Sequence, residues 1–194
     1  MKARWFIWLA AAFLAAGCAS TGEDVDVKDE TVSLVFGYFD MKDAPSGLEW
    51  VSLKRYGTPD DRQKAGWVYR LAATDGLFYH VGIRPGSYQV DRFGGTGGIP
   101  LLTSRDFEYD FGSRGRNRTA VRIERPGIYF LGSHRFVNHA GKGFFEADKF
   151  EMQAAKQPSE KEVLQRLVKV LETDKELTGY TRQLKLAKQR LAQL

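Results

Sequence analysis

Between residues 31 and 150 the chain is a series of short aromatic and β-branched runs, each cut off by Gly, Pro or Asp. Runs of this size and spacing are strands, because a helix cannot be assembled from pieces broken so often. An all-β body is predicted. Val32, Leu34, Phe36 and Tyr38 alternate with Ser33, Val35, Gly37 and Phe39, which makes the first run a strand with at least one buried face. Asp43-Ala44-Pro45-Ser46-Gly47 forces a turn, and residues 48–56 alternate again, Val51 and Leu53 opposing Trp50, Ser52 and Lys54. A polar loop over residues 57–66 leads to a third strand around residues 67–73. Asp75-Gly76 then marks a two-residue hairpin into a fourth strand over residues 77–83. Residues 128–137 and 143–150 supply the last strands, with Asn138-His139-Ala140-Gly141 between them.

One local pattern occurs twice. Arg84-Pro85-Gly86-Ser87-Tyr88 is matched by Arg125-Pro126-Gly127-Ile128-Tyr129, each copy lying between two apolar runs. Proline presets φ at the second position of a turn and glycine permits φ > 0 at the third, so a type II turn is expected at both. Two complete tandem domains would need more residues than separate the copies, which favours two similar corners in one domain. Such Pro-Gly-x-Tyr corners resemble those of transthyretin-like and carboxypeptidase-regulatory-like β-sandwich domains. The resemblance spans residues 31–150 and implies an all-β sandwich, transthyretin-like or Ig-like; it implies nothing about activity.

Several motifs between and after the corners bear on chemistry. Gly94-Gly95-Thr96-Gly97-Gly98 does not open a helix, as a phosphate-cradling loop would, and reads better as a flexible loop or as one letting another backbone approach closely. In residues 106–111, Asp106, Glu108 and Asp110 share one face and Phe107, Tyr109 and Phe111 the other. Carboxylates about 6–7 Å apart along one strand cannot converge on a calcium ion, so the acids read as a solvated face. Arg114, Arg116 and Arg118 form a basic loop whose guanidinium forks suit phosphate or carboxylate, a candidate anion-binding site beside the plainer reading of a solvated tip. His134 and His139 are wrongly spaced for a shared metal, and no Gly-x-Ser-x-Gly elbow is present. No catalytic, metal or cofactor site is assigned, and the chain is expected not to be an enzyme.

The N-terminus gives an address. Lys2 and Arg4 precede an apolar run over residues 5–16, small residues follow, and the composition then turns polar and acidic. This is the order of a secretory signal, and its apolar run is well short of the roughly 20 residues a spanning helix needs. The chain's single cysteine follows directly, in Leu14-Ala15-Ala16-Gly17-Cys18. That segment resembles the lipobox of bacterial lipoproteins. The resemblance implies cleavage after residue 17, acylation of Cys18 with palmitate-type chains, and stable membrane attachment through several acyl chains. Because Ala19 rather than aspartate follows Cys18, it implies the outer membrane, with the body facing the periplasm. An acylated Cys18 leaves no thiol, so disulfide, thiol-redox and Cys-ligated zinc chemistry drop out together.

Cleavage would remove Lys2 and Arg4 and lower the net charge from +5 to +3, which leaves a mildly basic protein. No helix-turn-helix, zinc-finger or RNA-recognition signature is present, and nucleic acid is not an expected partner. Residues 18–30 read as the lipidated terminus and an acidic tether, or as any solvated linker.

Past residue 150 the period becomes helical. Ser159 with Glu162 makes a capping box, and Val163, Leu164, Leu167, Val168 and Leu171 form a stripe. A second helix from about Tyr180 carries Leu184, Ala187, Leu191 and Leu194 on one side and Arg182, Lys185, Lys188 and Arg190 elsewhere. This C-terminal hairpin over residues 151–194 packs either on the body or on a partner. The expected role is a binding or scaffolding module of the cell envelope with a protein or cell-wall partner. The alternatives are a carbohydrate or peptidoglycan module, in which Trp50, Trp67 and Tyr69 would stack on sugar, and an envelope hydrolase with a dispersed site.

Overall fold

The computed structural model describes residues 26, 29–56, 68–98, 105–110, 119–139 and 149–194. Nine strands among them form one sheet: β1 Ser33–Asp40, β2 Trp50–Tyr56, β3 Val68–Thr74, β4 Leu77–Ile83, β5 Gly86–Gly97, β6 Arg105–Asp110, β7 Val121–Ile123, β8 Ile128–His139 and β9 Lys149–Ala155. Helices α1 (Glu160–Thr173) and α2 (Thr181–Gln193) follow, joined through a 3-10 turn at Lys175–Leu177. The strand order is β6-β5-β2-β3-β4-β1-β8-β9, with β7 pairing with β5. Pairing is antiparallel throughout except between β1 and β8.

A β-rich body with a helical C-terminus is therefore present, its strands hydrogen-bonded into a single curled sheet. Long, irregular strands permit the curl. β5 pairs with β2 along one edge while the other edge takes β7 at one end and β6 at the other. An extra residue, Asp91, bulges between the Ser52–Arg92 and Leu53–Val90 pairs. In β8 the bulge falls at Leu131 and Gly132, and Gly132 takes a φ of 94° that suits glycine. The two ends of the sheet meet through aromatic rings: Tyr109 of β6 lies 5.1 Å from both Phe136 of β8 and Phe150 of β9.

The core inside the curl draws on nearly every strand, including Val35 and Phe39, Val51 and Leu53, Tyr69 and Leu71, Phe78, Tyr88, Val90 and Phe93, Phe136 and Met152. A second cluster lies on the outside of β1 and β4. There Leu34, Phe36, Leu77, Tyr79 and Val81 pack against Val163, Leu164, Leu167 and Leu171 of α1 and Ala187 of α2. β1 is thus buried on both faces, which explains why its apolar residues run on through Val32, Leu34, Val35, Phe36 and Phe39 rather than strictly alternating. Each fully buried leucine of α1 contributes about 1.5–3 kcal/mol of burial.

Local signals in the helices hold. Ser159 caps α1 and makes the reciprocal capping box with Glu162. The Ser159 backbone N–H and hydroxyl bonds to the Glu162 carboxylate hold its pKa below the ordinary value. The helices are tied by the Arg190 fork on Glu160 at 2.9 and 3.2 Å and by Lys188 to Glu172 at 2.6 Å. The stripe of α2 faces the body through Gln183 and Ala187, while Leu194 remains 42% exposed.

Three expectations need correction. The last strand runs to Ala155, beyond its expected end at residue 150, because Met152 still packs inward and β8 offers partners as far as Ser133. Tyr69 is 2% exposed and belongs to the core, where its ring meets those of His80 and Tyr88. The Pro-Gly corners are not type II turns: Gly86 opens β5 at a nearly extended φ of 158°, and Gly127 is not among the glycines of positive φ. A type II turn doubles the chain back on a neighbour, whereas these corners carry it across the sheet, from β4 to β5 and from β7 to β8, which are not paired.

The corners do share a device that the repeat encodes. Tyr88 Oη donates to the Arg84 carbonyl at 2.8 Å, and Tyr129 Oη donates to the Arg125 carbonyl at 2.8 Å. Both lie at the end where β1 begins. Ser33 pairs with Ile83, and its hydroxyl accepts from the Gly127 N–H at 3.2 Å. The Asp75-Gly76 hairpin behaves as expected, with φ of 48° and 80° at its two turn residues.

Candidate functional site

Among the described residues, the outer face of β2, β3, β5 and β6 carries no helix. Along β3, Val68, Arg70, Ala72 and Thr74 point outward and are exposed, alternating with buried Tyr69 and Leu71. Pairing aligns these strands side by side. Arg70 of β3 stands opposite Ser52 of β2, Ser52 opposite Arg92 of β5, and Arg92 opposite Asp110 of β6. The adjacent row reads Ala72, Trp50, Gly94, Glu108. With strands about 4.8 Å apart, the backbones of Arg70 and Arg92 are separated by about 10 Å, with Ser52 between them.

Trp50 lies over Gly94, where a Cβ would strike both its indole and the Phe107 carbonyl. Above it sits the Arg70 guanidinium, 4.8 Å from a ring centroid, a cation–π contact that fixes the plane of the fork. Arg92 donates from Nη1 to Glu108 Oε1 at 2.8 Å and has its Nε 3.7 Å from Asp91 Oδ2. The hydrogen bond and charge of Glu108, with Asp91 adding to them, raise the Arg92 pKa above its ordinary value. These residues line a shallow groove of about 250 Å³ walled by Trp50, Ser52, Val68, Arg70, Arg92 and Glu108, with Asp91 beside Arg92.

The glycine-rich segment supports this face. Gly94, Gly95 and Gly97 lie within β5, and a Cβ at Gly95 or Gly97 would meet the carbonyls of Gly47 or Pro45. Close approach of the turn between β1 and β2 is what these glycines provide, as their sequence context suggested. Asp106, Glu108 and Asp110 are exposed, and Phe107 and Tyr109 stack at 6.4 Å on the opposite side of β6. Cys18, the basic loop residues Arg114, Arg116 and Arg118, and Trp67 lie outside the described residues. Among the described residues no group of His, Cys, Asp and Glu could hold a metal, and no helix is long and apolar enough to cross a membrane.

His80 and His134 point inward. His80 Nδ1 accepts from the Gly82 N–H at 3.0 Å, its ring lies 5.4 Å from Tyr69, and burial pushes its pKa down to about 4. His134 is 4% exposed, with Nε2 3.2 Å from the Leu131 carbonyl.

Ser52, Arg70 and Arg92 were not singled out from sequence as a set. Nothing in it announces which residues of three strands stand abreast, because that depends on register and on the bulge at Asp91. No family model, no curated protein and no solved structure matches this chain.

Proposed function

We propose that the protein is a lipid-anchored binding module of the cell envelope, held to the outer membrane by acylated Cys18 and presenting the outer face of β2, β3, β5 and β6 to the periplasm. The observation that carries this reading is the run Leu14-Ala15-Ala16-Gly17-Cys18 behind a charged and apolar leader. The groove supports binding over the hydrolase alternative, since His80 and His134 are turned into the core, away from Glu108 and Asp110. In the same reading the curled sheet is a variant of the transthyretin-like sandwich. Support for that comes from the paired Tyr corners, a device of β-sandwich domains. A cell-wall or protein partner is then the occupant of this outer face, with Arg114, Arg116 and Arg118 as a second, anion-binding contact.

Replacing Cys18 with Ser tests the anchor. The variant should leave the membrane fraction and retain its leader uncleaved; a variant that stays membrane-bound with unchanged processing overturns the reading.

A further inference from the structure

We propose that the groove between Arg70 and Arg92 binds a pyranose sugar that carries a carboxylate, an inference that deepens the binding-module reading and rests on it. Three features of the groove converge on that chemistry.

The first is the state of Arg70. It is exposed, its fork is held by Trp50, and it makes no ion pair among the described residues, its contact being the cation–π stack at 4.8 Å. A planar guanidinium already fixed in orientation loses little freedom when it takes a carboxylate in two parallel hydrogen bonds. Arg92, by contrast, is engaged with Glu108 and Asp91.

The second is the gradient of charge across the face. Arg70 stands at the β3 side, and Asp106, Glu108 and Asp110 line the β6 side. A polyanion would meet three carboxylates along β6. A ligand with one anionic end and hydroxyls at the other matches, because hydroxyls donate to Glu108 while the anion meets Arg70. Ser52, abreast of both arginines, adds a hydroxyl at the floor.

The third is shape. Trp50 and Val68 give the groove an apolar wall, the indole being packed between Arg70 and Gly94, and a groove of about 250 Å³ admits a single sugar ring. An apolar wall next to a few directed polar groups is how a small polar ligand is held against water.

The test is a calorimetric titration of the detergent-solubilised full chain with N-acetylmuramic acid and, separately, with N-acetylglucosamine, which lacks the lactyl carboxylate. The acidic sugar is expected to bind about tenfold more tightly, the worth of one bidentate charge-assisted pair. Arg70→Gln should abolish that preference, Arg70→Lys should restore part of it, and Glu108→Gln should weaken both sugars. Equal affinity for the two sugars, no binding of either, or an unchanged preference in Arg70→Gln would overturn the inference. So would sodium phosphate binding at Arg70 as tightly as the acidic sugar, which would make the groove a plain anion site. None of these results depends on where Cys18 →Ser fractionates, so failure of the sugar site and failure of the anchor are read separately.

Discussion

The outer surface of the sheet is treated in two ways. Over β1, β4 and β8 the outward residues are Leu34, Phe36, Leu77, Tyr79 and Val81, and two helices lie on them. Over β2, β3, β5 and β6 the outward residues are Trp50, Ser52, Arg70, Arg92 and Glu108, and among the described residues no helix covers them. Both halves back onto the same interior core, so the outward side chains alone decide which half acquires a second layer. The helix-covered half buries a second apolar cluster, and the other half carries the groove to which the proposed ligand is assigned.

That contrast is broken most directly at Phe36, which is fully buried beneath the helices and 5.1 Å from the ring of Phe130. Phe36→Ala should cost about 3–5 kcal/mol in chemical denaturation. On the grooved half, Thr74→Ala should change stability by less than about 0.5 kcal/mol. Comparable losses at the two sites would mean that both faces stabilise the fold alike.

The interior shared by the halves gives the next effect. His80 has a folded-state pKa of about 4 against an ordinary 6.5, so the unfolded chain takes up the proton first as pH falls. The stability that the neutral ring contributes is complete above about pH 6.5 and lost as pH drops toward 4. With some solvent contact at its edge, the loss should be about 2–3 kcal/mol. Denaturation curves at pH 7 and pH 4 should show it, and His80→Leu should flatten the dependence by that amount. An unaltered slope in the variant would assign the acid sensitivity elsewhere.

The smallest expected effect concerns the end of the covering layer. Ser159→Ala removes the N-cap of α1 and should cost about 1 kcal/mol. Amide exchange in the first turn of α1 should quicken with no change in β3. Faster exchange in β3 as well would couple the two faces.

Elements governed by local chemistry were legible from the sequence. The capping box at Ser159, the stripe from Val163 to Leu171 and the Asp75-Gly76 hairpin each depend on a few neighbouring residues, and each is found. What needed long-range partners was less so. Tyr69 looked available to a ligand because alternation tells which residues share a face but not which face is inside. β9 was placed too early because its inward residue, Met152, sits within a polar stretch and gains its place only from pairing with β8. The recurrence at Arg84 and Arg125 was visible, but its content was the tyrosine hydroxyl rather than the glycine φ. For the candidate site, Trp50 could be picked out, whereas the row from Arg70 to Asp110 exists only once four strands are in register.

The place of β1 in the sheet has a mechanical side. The chain that leads back toward Cys18 enters at Thr31, directly before the strand that is hydrogen-bonded to β4 on one edge and β8 on the other and packed on both faces. A pull on that leader runs along the strand and strains both ladders in shear, so their bonds resist together instead of opening one after another like a zip. A body moored by its edge strand would peel; under the proposed anchor at Cys18 this one would be held by an inner strand.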